Sequence, residues 1–169
     1  MIGAVLALAL GTAPLACPAG AEHHGLPPPE DFEEWCERRD DVGRTRRDGP
    51  ARRFYDDGGL WVEERWAAGL LDGAFVEHHR GGAKARVGTF ARGAKTGRWT
   101  IWYDSGSIEE EADWKDGVLD GVFVSYWRSG AKRAEGRHCG GMQCGTWRTW
   151  DEKGALLGTA EYAVPGNAP

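Results

Sequence analysis

Apolar and polar positions alternate along this chain in short runs, and glycine interrupts the runs at fixed intervals. From Trp99 to Tyr103 aromatic and β-branched residues cluster, Asp104-Ser105-Gly106 follows, and a second run extends from Ile108 to Trp114. The pattern predicts two strands joined by a tight turn whose glycine takes the positive φ that a Cβ would penalise. Equivalent turns read Asp56-Asp57-Gly58, Arg80-Gly81-Gly82, Arg128-Ser129-Gly130 and Glu152-Lys153-Gly154.

These hairpins recur with a constant 24-residue step, as Gly73, Gly97, Gly121 and Gly145 show, and Gly69, Gly93, Gly117 and Gly141 keep the same step. Aromatic ladders share it: Phe75, Trp99, Phe123 and Trp147; Trp66, Phe90 and Trp114, continued by His138 and Tyr162; and Tyr55, His79, Tyr103 and Trp127, broken at Asp151. A fainter copy starts at Val42, with Asp48 and Gly49 in phase. The array is thus expected over 42–162, with Gly-x-x-x-Gly loops between hairpins. Hairpins of this size fold by stacking on neighbours. The expected fold class is all-β: an elongated antiparallel meander of tandem 24-residue β-hairpins.

The flanks read differently. Residues 1–21 form a leader in which Ile2 to Leu10 resembles the apolar core of an export signal, too short to span a bilayer. Small residues at 13, 16 and 21 leave the cleavage point open. Leu15-Ala16-Cys17 approximates a lipidation signal one residue short, which leaves membrane attachment through Cys17 open. Residues 22–41 read as a linker carrying a short capping helix from Glu30 to Arg39, on the 3- and 4-residue spacing of Phe32, Trp35 and Cys36. The tail, 163–169, is expected to be disordered.

Composition narrows the chemistry. Twenty-six acidic against 21 basic residues give a charge of −5, which argues against nucleic acid as a partner. Cys139 and Cys144 bracket a glycine-rich loop whose counterparts lack sulfur, and in an exported chain they are expected to form a disulfide. Cys17 and Cys36 form a second candidate pair if processing leaves both in the chain. His138 with these cysteines offers three ligands without zinc-finger spacing. His78 and His79 point to opposite faces of one strand and cannot converge as acid and base. No nucleophile, base and orienter constellation is found, so neither catalysis nor a cofactor is expected.

The segments Trp102-Tyr103-Asp104-Ser105-Gly106, Trp114-Lys115-Asp116-Gly117 and Gly121-Val122-Phe123 resemble the variant MORN repeat. The resemblance covers about residues 42–162 and implies β-hairpin arrays that attach to proteins or lipids. It also implies kinship with bacterial antitoxin components of toxin–antitoxin systems, a cytoplasmic alternative that an export signal and paired cysteines disfavour. The preferred expectation is an exported, non-enzymatic module binding a protein or cell-envelope component. Its candidate surface comprises Trp102, Tyr126, Trp150, Glu109 and Glu111.

Overall fold

The computed structural model describes residues 15–166; the export-signal core and residues 167–169 of the tail lie outside the described residues. Among the described residues twelve strands follow one another in a single open sheet: β1 (Glu22–Leu26), β2 (Glu33–Arg39), β3 (Thr45–Phe54), β4 (Leu60–Ala67), β5 (Leu70–His78), β6 (Lys84–Ala91), β7 (Ala94–Trp102), β8 (Ile108–Lys115), β9 (Val118–Tyr126), β10 (Lys132–Cys139), β11 (Met142–Trp150) and β12 (Leu156–Tyr162). Each strand pairs antiparallel with its neighbours in sequence, so the sheet is a meander.

The expected capping helix is instead strand β2, and β1 lies in the expected linker, so the sheet begins at Glu22 rather than at position 42. Spacing of 3 and 4 at Phe32, Trp35 and Cys36 mimicked a helix, but cross-strand pairing decides the local structure. Glu34 is 1% exposed and accepts from Arg52 at 3.1 Å, while Glu33 pairs with Arg47 at 2.7 Å. Val42 is likewise no rung: it is 71% exposed in the β2–β3 turn. The span from Trp35 to its partner Ala51 exceeds the span from Glu64 to its partner Phe75 by five positions. This insertion puts β2 out of phase with the later hairpins. The Asp40 carboxylate organises it by accepting from the backbone N–H of Val42 and Arg44.

The Gly-x-x-x-Gly segments are also not loops. Asp116 and Gly117, with φ of 49° and 84°, form a two-residue turn between β8 and β9, while Gly121 lies inside β9. Two successive positive φ angles give the turn whose twist matches that of the flanking strands.

Both ends of each hairpin are fastened to the next. At one end the turn-glycine N–H donates two strands back: Gly69 to Arg47 O, Gly93 to Leu71 O, Gly117 to Lys95 O and Gly141 to Leu119 O, at 2.7–3.0 Å. At the other, Tyr55, His79, Tyr103 and Trp127 donate from their side chains to the carbonyls of His78, Trp102, Tyr126 and Trp150, at 2.7–3.0 Å. Asp151 ends this ladder and accepts from its own turn, at the N–H of Lys153 and Ala155. Arg80 and Arg128 stack over Tyr55 and Tyr103 at 4.8 Å and bond Asp56 and Asp104. Those bonds hold the two carboxyls below the ordinary aspartate range.

The apolar stripe lies on one side of the sheet. Its side chains come in two nearly identical groups separated by two hairpin steps: Phe75, Phe90 and Trp99, with ring centroids 5.1–5.6 Å apart, and Phe123, His138 and Trp147, at 5.0–5.4 Å. In each group the tryptophan lies over a strand glycine, Gly88 or Gly136, where a Cβ would meet the indole at 2.1 or 2.3 Å. The indoles donate to Thr89 O and Arg137 O. Register shifts at Gly88 and Gly136 alternate with shifts at Arg65 and Asp113. The 24-residue hairpin is therefore half of a 48-residue structural unit, one phenylalanine hairpin and one tryptophan hairpin closed over a glycine. Trp66 and Trp114 occupy half-buried rungs beside these groups.

Candidate binding surface

Strand alternation puts Trp102, Tyr126 and Trp150 on the side opposite the apolar stripe, near the long-turn end of β7, β9 and β11. One strand separates each from the next, a spacing of about 10 Å. All three are half-buried. Their backbone carbonyls are those held by His79, Tyr103 and Trp127, so the row is fixed from beneath by hydrogen bonds.

Charged groups fill the spaces. Glu111 accepts from the Tyr126 hydroxyl at 3.3 Å and pairs with Arg98 at 3.7 Å. Burial, then the neighbouring Glu111 charge, raises the Tyr126 hydroxyl above its ordinary pKa. Glu135 takes Lys132 at 2.7 Å and Arg148 at 3.3 Å, and its bond from Lys132 lowers its pKa. Lys132 also stands over the Trp150 ring at 5.9 Å. Val122, Val124, Glu135 and Arg148 line a shallow groove between these clusters.

Four of the five residues expected from sequence thus share one surface. Glu109 does not. It sits in the irregularity where Ile101 and Trp102 face Glu110 and Ile108. Its equivalents lean to the apolar side: Trp61 lies under Arg53, and Arg133 bonds Ser125. Sequence reading missed Lys132, Glu135 and Arg148, although strand alternation from Trp102 and Tyr126 would have reached them.

Both expected cysteine pairs are disulfides, Cys17–Cys36 and Cys139–Cys144. Two disulfides are consistent with a compartment outside the cytoplasm. The Cys17 sulfur engaged with Cys36 is unavailable for a thioether-linked lipid, so the bridge and lipidation exclude each other. His138 stacks edge-on against Phe123 and Trp147, and burial lowers its pKa. Among the described residues no helix is long and apolar enough to cross a membrane.

The geometry defines a tandem β-hairpin repeat protein of one continuous sheet. Residues 95–116 match the model of the MORN repeat variant, which supports a MORN-repeat family for the chain. The match falls on β7, β8 and the turn between them. No curated protein matches the chain.

Proposed function

We propose that this protein is an exported, non-enzymatic attachment module that binds another protein or an envelope component through the surface carrying Trp102, Tyr126 and Trp150. The supporting observation is the row itself: three aromatic side chains at even spacing, held by carbonyl-bound turns and separated by charge-paired residues. Rigid aromatics flanked by polar groups supply contact area at low entropic cost. The net charge of −5 favours a partner other than nucleic acid. The disulfides favour the exported reading over a cytoplasmic antitoxin, whose thiols would be held reduced.

The test is affinity capture from the envelope fraction of the source cells, with intact-mass determination of the bait. The reading expects a partner captured by the native protein and lost with Trp102→Ala/Trp150→Ala, while capture persists with Leu70→Ala on the opposite edge. Mature protein found in the cytoplasm with four free thiols would overturn the exported reading.

A further inference from the structure

One position of the repeat is occupied in two ways. At 71 and 119 it carries leucine; at 47 and 95 it carries a cation held between aromatic rings. Arg47 lies 5.0 Å from the Trp35 ring and 5.3 Å from Trp66, and Lys95 lies 4.4 Å from Trp99 and 4.5 Å from Trp114. The next member of the cationic series is Gln143. Its two rings are present: Trp147 stands where Trp99 does, and Tyr162 faces Gly145 as Trp114 faces Gly97. The rings are 6.4 Å apart and nearly perpendicular. Trp147 forms a buried floor, Tyr162 an exposed wall, and Gln143 is exposed at the mouth of a cleft extending to Thr149 and Gly158.

We propose that this last rung receives the guanidinium group of an arginine side chain presented by a partner polypeptide, in the place that Arg47 and Lys95 fill from within the chain. The choice of guanidinium follows from the surroundings. Burial, then Arg86, lowers the Lys95 pKa, and Glu110 and Glu77 are the neighbours that support its charge. The equivalent positions around Gln143 are Ser125, Gly158 and Ala134, none of which ionises. A site of ring faces and neutral polar groups favours the cation that is most weakly hydrated and stacks flat, which is guanidinium rather than ammonium. His138 lies edge-on against Trp147, and its burial lowers its pKa, which disfavours an opposing charge beside the site.

The site does not depend on the aromatic row of the opposite side, and its test is separate. The full chain is titrated with N-acetylarginine amide while the indole N–H resonances are followed, with N-acetyllysine amide and sodium chloride as controls. Trp147 is expected to shift saturably with the arginine probe, more weakly with the lysine probe, and not with salt. Gln143→Leu, which imitates Leu71 and Leu119, should remove the shift while the other indole resonances stay in place, showing the fold intact. Gln143→Arg should fill the slot internally, remove the shift and raise the melting temperature. An absent shift, or one equal in the native protein and Gln143→Leu, would overturn the site. Equal response to both amides would overturn the assignment to guanidinium.

Discussion

A single methyl group added at Gly88 tests the 48-residue unit. In Gly88→Ala the new Cβ would lie 2.1 Å from Cδ2 and 2.2 Å from Cε2 of Trp99, and relief to an ordinary 3.4 Å contact requires the ring to move by more than an ångström. Trp99 is 3% exposed and donates to Thr89 O at 3.2 Å, so the movement disturbs a filled core and lengthens that bond. Overpacking costs about 1–3 kcal/mol, and each weakened aromatic pair or hydrogen bond adds about 1 kcal/mol. The net loss should be about 3 kcal/mol, which for a chain of this length lowers the melting temperature by roughly 6–12 °C. The assay is thermal and urea unfolding followed by tryptophan fluorescence, with Gly81→Ala as control, because nothing lies within 4 Å of a Cβ there and its φ is ordinary. Equal midpoints for the two variants would refute the reasoning. So would an undiminished penalty in a Trp99→Leu background, where the obstructing ring is gone.

Further consequences concern charge, packing and cross-links. Burial, then the adjacent Glu109, raises the Glu110 pKa above 4.5; the protonated form is favoured in the fold, so this contribution is present below 4.5 and lost as pH rises through the raised value. Glu110→Gln should therefore raise the melting temperature at neutral pH and leave it unchanged in acid, as pH-dependent calorimetry can check. Lys95→Leu, which copies Leu71 and Leu119, should match or exceed native stability in urea, whereas Lys95→Ala should lose about 1–2 kcal/mol through the uncovered Trp99 and Trp114 rings. Tyr103→Phe removes the donor to Tyr126 O and should cost about 1 kcal/mol by the same measurement. Opening Cys17–Cys36, which closes a 19-residue interval, should cost about 3 kcal/mol against about 2 for the 5-residue Cys139–Cys144 interval, read from paired Cys→Ser variants.

Much of the sheet was legible because its constraints are local and repeated. The glycines at 58, 82, 106, 130 and 154 all take the left-handed turn conformation expected of them. Aromatic ladders identified the stripe for the same reason. β2 was illegible because its apolar spacing suits a helix as well as a strand. The deciding partners, Arg47 and Arg52, lie beyond a five-residue insertion that breaks the phase. The surface was half legible: Trp102, Tyr126 and Trp150 keep the 24-residue step, but Glu109 sits in an irregularity that interrupts the strand alternation. Alternation of phenylalanine and tryptophan at 75, 99, 123 and 147 was in plain view. Its meaning came only with the glycines at 88 and 136 beneath the indoles.

Those glycine seats govern how such a gene could change in length. Excising residues 93–116 would set Gly88 between Phe75 and Phe123 with no indole to cover it, so an indole-sized void would open above Gly88. Excising 93–140 would bring Trp147 onto Gly88 and restore the native fit across the junction. Duplication and loss in this lineage should therefore proceed by hairpin doublets, and paralogues of odd hairpin number should carry a compensating change at the seam.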